Sequence, residues 1–307
     1  MKRLRLFKFI LMGLSLTILF QFGCSLNSLV MSGLANSLSH GTSTFATDND
    51  PRLIAKALPF SLKLMESVLQ SVPKNHGLLT TLCKAFTEYA YGFVEQKSDF
   101  LMNRNYHKSL ALRHEAKNLY LRARNYGFRG LNVSHPSFIK EFKKNPLKAL
   151  KAMRPHDVAL LYWTGVAWMG AISLGQNDPR LLADIPLAKM LVQRAFTLNP
   201  NFDDGTIQSF LITEVGSLPQ ALGGSPQKAR KYLKEAIKLT HGLSASPYVN
   251  FAESVDVQEQ NLKEFKSMLK HALQINVNKK PKWRLMNLIM QKRARWLLRQ
   301  QTNLFVQ

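Results

Sequence analysis

Cysteine is scarce in this chain of 307 residues, which has only Cys24 and Cys83. So small a number excludes a secreted fold held together by several disulfides. Cys83 lies in the apolar segment LLTTLCKAFTEY, which is typical of a helix with one buried face. We therefore predict that Cys83 is a buried, inert thiol and not a nucleophile.

Acidic residues are also few. Asp and Glu number 19 against 42 Lys and Arg, so the formal net charge is +23. The basic residues recur through nearly every segment, with a denser patch at residues 279–299. Such a charge favours association with anionic lipid headgroups or with acidic protein surfaces. A solvated basic surface without a partner is the alternative.

The common catalytic motifs are missing. The chain contains no GxxxxGKS/T, HExxH, CxxC, GxSxG or GxGxxG sequence. The eight histidines are scattered, and the pair His107 and His114 has no nearby acidic or cysteine residue to complete a metal site. No pair of acidic residues lies in an apolar setting that would suit an acid/base couple. The sequence therefore predicts no enzyme, no cofactor and no metal site.

The N-terminus has the pattern of a bacterial export signal. A basic start is followed by the charge-free run FILMGLSLTILF at residues 9–20 and by a Gly-Cys pair. We predict a lipoprotein signal at residues 1–23, after which an acylated Cys24 anchors the chain to a membrane. Gln21 occupies a position where Leu is usual, which leaves two alternatives open: cleavage after Ala35 or an uncleaved anchor.

The predicted mature chain has two parts. Residues 24–50 are small, polar and turn-rich, and we interpret them as a lipid-anchored tether. Residues 51–307 form the helical-repeat domain. Ser25 after Cys24 favours the outer over the inner membrane of a bacterial envelope, with the body facing the periplasm. An exported protein rarely meets DNA, so we predict no nucleic-acid partner.

The body is patterned for helices. Apolar residues step by three or four along 53–68 and 79–93, and no alternation long enough for a sheet appears. Asp50 followed by Pro51 is typical of an N-cap and the first helical residue, and it lacks the glycine and distant glutamate of a calcium loop. Pro59 and Pro186 lie within apolar stretches and either kink or start helices.

Two further patterns define the predicted architecture. Residues 158–174 carry no charge, but they are fewer than the ~20 of a membrane span, so we expect a buried helix. Residues 193–202, 234–242 and 270–278 each place an alanine three residues before an apolar one and then a polar break, which resembles tetratricopeptide repeats. We predict an all-α fold of stacked antiparallel helix hairpins, an α-solenoid of degenerate tetratricopeptide-like repeats with a C-terminal capping helix.

A candidate cavity follows from the aromatic residues of the presumed inner helices. Most of them belong to the core, while a minority facing a cavity would bind an apolar or amphipathic ligand. The segment Gly223-Gly224-Ser225-Pro226 predicts a helix capped by Ser225, and its glycines either hold an anion or form a tight turn. The candidate cavity residues are Tyr89, Phe93, Tyr162, Trp163, Trp168, Phe210, Gly223 and Gly224.

Several longer segments carry a family resemblance through their order along the chain. They are DNDPRLIAKALPFSLKLMESVLQSVPKNHGLL, FTEYAYGFV, LYLRARNYGFRGL, DVALLYWTGVAWMGAISL, LPQALGGSPQKARKYLKEAIKL, PYVNFAESVDVQEQNLKEF and RLMNLIMQKRARWLL. No segment is specific alone, but together they resemble the T-component of tripartite ATP-independent periplasmic (TRAP) transporters. The resemblance runs from about Cys24 to Phe305.

The resemblance implies a non-enzymatic, periplasm-facing lipoprotein that assists solute uptake. Its partner would be the extracytoplasmic solute-binding protein, which delivers substrate to an ion-driven permease. It also implies a homo-oligomer, with a trimer as the candidate, a cavity or pore through the helical body, and a small hydrophobic or carboxylate ligand. The alternative is a helical-repeat scaffold lipoprotein for envelope assembly or secretion machinery, which carries no solute.

Overall fold

The computed structural model describes residues 30–38, 44–218 and 223–306. The predicted export signal and Cys24 lie outside these residues. Within the predicted tether, residues 30–38 are helical, and the buried Ala35 packs in the same apolar cluster as Leu62 and Leu78. The predicted division of the chain at residues 23 and 50 stays a prediction.

The described residues fold into α-helices joined by short turns, and they contain no strand. From Pro51 onward, the first nine helices are α1 Pro51–Ser71, α2 His76–Tyr89, α3 Gln96–Leu101, α4 Tyr106–Ser134, α5 Phe138–Lys144, α6 Pro146–Lys151, α7 Val158–Leu174, α8 Pro179–Ala183 and α9 Ile185–Leu198. The next six are α10 Thr206–Gly216, α11 Pro226–Leu239, α12 Ser246–Phe251, α13 Leu262–Gln274, α14 Arg284–Arg299 and α15 Gln301–Leu304. The predicted all-α fold is confirmed.

Tighter and wider helical turns link some of these helices. Three are 3₁₀ turns, at Pro155–Asp157, Phe202–Gly205 and Pro281–Trp283. Two are π turns, Ala90–Glu95 after α2 and Ala252–Asp256 after α12. Turns of both kinds are frequent at functional sites and helix junctions.

Helix starts follow the predicted capping pattern. The Asp50 carboxylate accepts hydrogen bonds from the backbone N–H groups of Arg52 and Leu53, with Pro51 as the first residue of α1. The Ser225 hydroxyl accepts a hydrogen bond from the N–H of Lys228 at the start of α11. Both caps satisfy backbone donors that the helix itself leaves unpaired, so both predicted starts are confirmed.

Helix α7 is the central helix of the first half of the chain. It packs between α4 and α9 and also contacts α2. Gly165 permits the approach of α9, because a Cβ atom there would lie 2.6 Å from Val192 Cγ2. Within the described residues, one stretch, Pro155–Leu174, is long and apolar enough to cross a membrane, and 67% of it is buried inside the protein. The prediction of a buried helix is confirmed.

The alanines of the three similar segments are all buried near the ends of helices. Ala195, Ala236 and Ala272 are fully inaccessible on α9, α11 and α13. Helices α10 to α14 form a second group in which each packs on its neighbours in sequence. Whether these pairs are degenerate tetratricopeptide-like repeats stays a prediction.

The last long helix, α14, packs against the first one, α1. Leu285 and Ile289 of α14 form one apolar cluster with Ile54 and Leu58 of α1. Arg284 Nη1 donates a hydrogen bond of 2.7 Å to the backbone oxygen of Thr47. Helix α14 therefore joins the two groups of helices and does not merely cover one end of the array.

Candidate functional site

A charged–aromatic cluster forms where α2 and α7 meet the Phe202–Gly205 turn. We define it as Lys84, Glu88, Tyr162, Trp163, Phe202 and Asp203. The Lys84 ammonium lies 3.8 Å from a carboxylate oxygen of Glu88 and 3.8 Å from one of Asp203. It also lies 5.4 Å from the centre of the Trp163 ring, within the range of a cation–π contact.

Two residues of the turn are held in an unusual backbone conformation. Asp203 and Asp204 have φ values of 44° and 52°, and Gly205 follows with φ of 90°. A non-glycine residue in this left-handed region costs about 1–3 kcal/mol, although aspartate tolerates it better than most. The turn directs Asp203 to Lys84 of α2 and Asp204 to Lys282 before α14. It therefore ties both groups of helices to the cluster.

Aromatic rings enclose the other side of the cluster. The Tyr162 ring centre lies 4.9 Å from that of Trp163 and 5.8 Å from that of Phe202. The Tyr162 hydroxyl donates to the backbone oxygen of Thr206 at 3.2 Å, immediately after the turn. Burial raises the pKa of Tyr162, so this phenol stays protonated.

The charged side chains are partly accessible to solvent, and those of Lys84 and Glu88 are also desolvated by the protein around them. Lys84, Glu88 and Asp203 retain 39%, 36% and 39% of their side-chain exposure. Desolvation by the surrounding protein nevertheless raises the pKa of Glu88, and the attraction of Lys84 offsets only part of that effect. The charge of Glu88 in turn raises the pKa of Lys84. The protein therefore surrounds Lys84 and Glu88 closely while it leaves part of each side chain open to solvent, and we call this partly open surface the crevice.

A small pocket adjoins this crevice. Its volume is about 280 Å³, and its lining includes Phe210 and Leu211 of α10 with Met190 of α9. The Lys189 ammonium and the Glu214 carboxylate form an ion pair of 2.6 Å at its edge. The Phe210 ring lies 6.4 Å from that of Tyr162, so one aromatic contact connects the pocket to the cluster.

The candidate cavity residues divide into separate places. Tyr162, Trp163 and Phe210 lie together, as just described. The rings of Tyr89 and Phe93 contact each other at a tilt of 36°, with their centres 5.8 Å apart. Both rings pack against the apolar cluster that joins α1 to α14. Trp168 belongs to the same core cluster as Tyr162 and Trp163, and its ring centre lies 5.3 Å from that of Phe128.

The glycine loop lies apart from these aromatics. Gly223 has φ of 88° with open space where a side chain would begin, and Gly224 is buried. The N–H of Ser225 donates to the backbone oxygen of Val215 at 2.8 Å, which fixes the start of α11 against the end of α10. Among the described residues, neither glycine lines the 280 Å³ pocket.

The charged members of the cluster are the residues that sequence reasoning missed. Lys84 and Glu88 are four apart on α2, a spacing that usually indicates a solvated helical ion pair. The Asp-Asp-Gly sequence at 203–205 is a signal for a left-handed turn, but it does not indicate which cation the turn approaches. Only the packing of α7 between α2 and the turn brings these groups together.

The described residues therefore form an all-α body that brings charged groups and aromatic rings together in one partly open cluster. The chain belongs to the TRAP transporter T-component family, whose model matches residues 47–305. It is also 26% identical over 293 residues to an uncharacterized protein of Treponema pallidum (strain Nichols). That alignment covers 90% of this chain and 91% of the relative. Family membership associates the chain with the other components of a TRAP transporter at the cell envelope.

Proposed function

We propose that this protein assists solute uptake by binding the extracytoplasmic solute-binding protein of a TRAP transporter and by holding a small ligand in its own crevice. Family membership supports the first part. The second part depends on one observation, the accessible but desolvated Lys84 beside Trp163 and Tyr162.

The ligand that fits this crevice is a small carboxylate with an apolar portion. Both ion pairs of Lys84 measure 3.8 Å, longer than the about 2.7–2.9 Å of a charge-assisted hydrogen bond. An incoming carboxylate would displace Glu88 or Asp203 from the ammonium, because these two carboxylates already outnumber the single cation, and the long ion pairs favour that exchange. The rings of Tyr162 and Trp163 would cover the apolar portion, and desolvation strengthens the charge interaction.

The proposed position in the cell follows from the N-terminus. An acylated Cys24 would hold the body at the outer membrane, facing the periplasm. The predicted homo-oligomer, with a trimer as its candidate, would present several bodies to the same partner. Mass analysis of the purified protein for a lipid at Cys24, and sedimentation analysis of its size, test these two points.

A cross-linked pull-down of the tagged, lipidated protein from envelope extracts tests the partner. We expect enrichment of a TRAP solute-binding protein, identified by mass spectrometry. Enrichment of outer-membrane assembly or secretion proteins, with no transporter subunit, would contradict the proposal and favour a scaffold role.

The ligand site is tested by mass spectrometry of small molecules released when the purified protein is denatured. We expect a carboxylate to co-purify with the wild-type chain and to be lost from Lys84→Gln. The matched control is Lys234→Gln, at an exposed lysine of α11. Ligand recovery unchanged in Tyr162→Ala and Trp163→Ala, with both variants folded, would exclude the aromatic part of the site.

A further inference from the structure

Two histidines and an aspartate meet where the end of α4 lies against the start of α7. His135 is the C-cap of α4, and His156 and Asp157 belong to the Pro155–Asp157 turn. One potential ligand atom from each residue lies within 4.8 Å of the other two. The two imidazole rings are nearly parallel, with an angle of 7° between their planes. This cluster shares no residue with the charged–aromatic cluster.

The Asp157 carboxylate is fully buried and only half satisfied. Its Oδ2 atom accepts hydrogen bonds of 2.8 Å from His135 Nε2 and from the backbone N–H of Arg154. Its Oδ1 atom is buried and has no hydrogen-bond partner among the described residues. An ionised carboxylate oxygen left in this state is costly, so a further partner is expected at Oδ1.

A third histidine lies near the same point. His76 is the first residue of α2, and its Nε2 atom is buried without a hydrogen-bond partner among the described residues. Its imidazole interacts electrostatically with Asp157 and His156. The ligand atoms that lie within 4.8 Å of one another do not include one from His76, so His76 is a candidate only for an additional, fourth ligand.

One separation in the cluster matches that between two ligands of one metal ion. Nitrogen and oxygen ligands lie about 2.0–2.2 Å from Zn²⁺, so two of them at a tetrahedral angle are about 3.4 Å apart. His156 Nε2 lies 3.5 Å from Asp157 Oδ1, and His135 Nε2 lies 2.8 Å from Oδ2. A hydrogen bond explains the second distance, but it explains neither the first nor the unpartnered Oδ1.

We propose that His135, His156 and Asp157 bind a divalent transition-metal ion, with Zn²⁺ as the probe, and that His76 or a water molecule supplies the fourth ligand. Imidazole and carboxylate ligands suit this class of ion. His156 is 66% exposed, so the ion has a path from solvent. The hydrogen bond from Arg154 holds the carboxylate in place, as neighbouring donors commonly do in metal sites. The bound ion would join the ends of α4, α7 and α2.

The experiment uses the purified full chain in detergent, stripped with a chelator and then titrated with Zn²⁺ in competition with a chromophoric indicator. We expect one ion per chain and a higher Tm in the presence of Zn²⁺. His156→Ala should lower the affinity at least tenfold and abolish the Tm increase. Because His156 is largely exposed, this variant should fold. Asp157→Asn is a second variant with the same expected loss.

The matched control is the double variant His107→Ala and His114→Ala, which removes the pair of histidines on α4 that the sequence analysis considered and rejected as a metal site. Because neither histidine belongs to the proposed site, this variant should bind Zn²⁺ as the wild-type chain does. Absorption of the Co²⁺-loaded protein checks the ligands, since His156→Ala should change its visible spectrum. Unchanged Zn²⁺ stoichiometry and affinity in His156→Ala, or no binding by the wild-type chain, would overturn the proposal.

Discussion

At the scale of single residues, burial controls the chemistry of Cys83. Its side chain is fully inaccessible, and desolvation raises its pKa to about 12 against smaller effects of hydrogen bonding with Thr164 and the Gly127 backbone. The predicted buried thiol is confirmed. In a Cys24→Ser chain we expect no reaction with a thiol reagent at pH 8 and one thiol per chain after denaturation. Rapid labelling of the folded chain would contradict this expectation.

At the same scale, the raised pKa of Glu95 predicts how the stability of the protein changes with pH. Desolvation raises its pKa from 4.5 to about 7, although the hydrogen bond from Tyr120 and nearby Arg293 oppose the change. The folded chain holds this proton more tightly than the unfolded chain. Stability from this group is therefore complete below pH 4.5 and is lost by about pH 7, and we estimate the loss at roughly 2–3 kcal/mol.

The variant Glu95→Gln tests that direction, since an amide cannot ionise. We expect the free energy of unfolding of the variant, relative to wild type, to increase between pH 5 and pH 8 in urea titrations. The control is Glu115→Gln at an exposed residue of α4, whose difference from wild type should not change with pH. A constant difference for Glu95→Gln would show that Glu95 is ionised throughout.

At the scale of elements, the left-handed turn before α10 can be tested through its glycine. Gly205 has φ of 90°, and a Cβ atom there would lie 3.2 Å from Leu239 Cδ1. Gly223 has nearly the same φ, 88°, but open space around the Cβ position. We expect Gly205→Ala to cost about 1–3 kcal/mol of stability and Gly223→Ala to cost less. Urea unfolding of both variants measures the difference, and equal costs would mean that contact with Leu239 is unimportant.

At the scale of the whole molecule, Arg293 connects the two groups of helices. Its guanidinium is almost fully buried and lies 3.0 Å from Asp99 Oδ2 after the first π turn and 2.5 Å from Glu253 Oε1 in the second. Their charges, acting against desolvation, raise the pKa of Arg293. Arg293 of α14 therefore links a carboxylate of the first group of helices to one of the second, although Asp99 also lies 3.5 Å from Arg113.

Replacing Arg293 leaves both carboxylates without that partner. We expect Arg293→Met to lower the free energy of unfolding by about 3–5 kcal/mol, the usual consequence of removing one partner of a buried ion pair. Arg295→Met, at an exposed residue of the same helix, should change it by about 0.5 kcal/mol or less. If chemical denaturation gives the same free energy of unfolding for both variants, Arg293 is not needed to hold α14 in place.

The sequence by itself determined the helical class, the capped starts at Asp50 and Ser225, and the buried character of α7. These features depend on hydrogen bonds and apolar spacing within a few residues, so they are visible in a short stretch of chain. Family resemblance came from the order of such stretches. The spacing of residues along the chain does not show whether the eight candidate residues line one cavity. Aromatic residues of a core and of a cavity wall have the same pattern in sequence.

Only the tertiary structure decided which distant side chains meet. Lys84 approaches Asp203 because α7 holds α2 and a strained turn on either side of it. His135 and Asp157 meet because α4 ends where α7 begins, although they are 22 residues apart in the sequence and no local motif links them. Contacts of this kind depend on how helices pack on one another, and the free energy of that packing is distributed over many residues of the core and is not encoded in any local pattern.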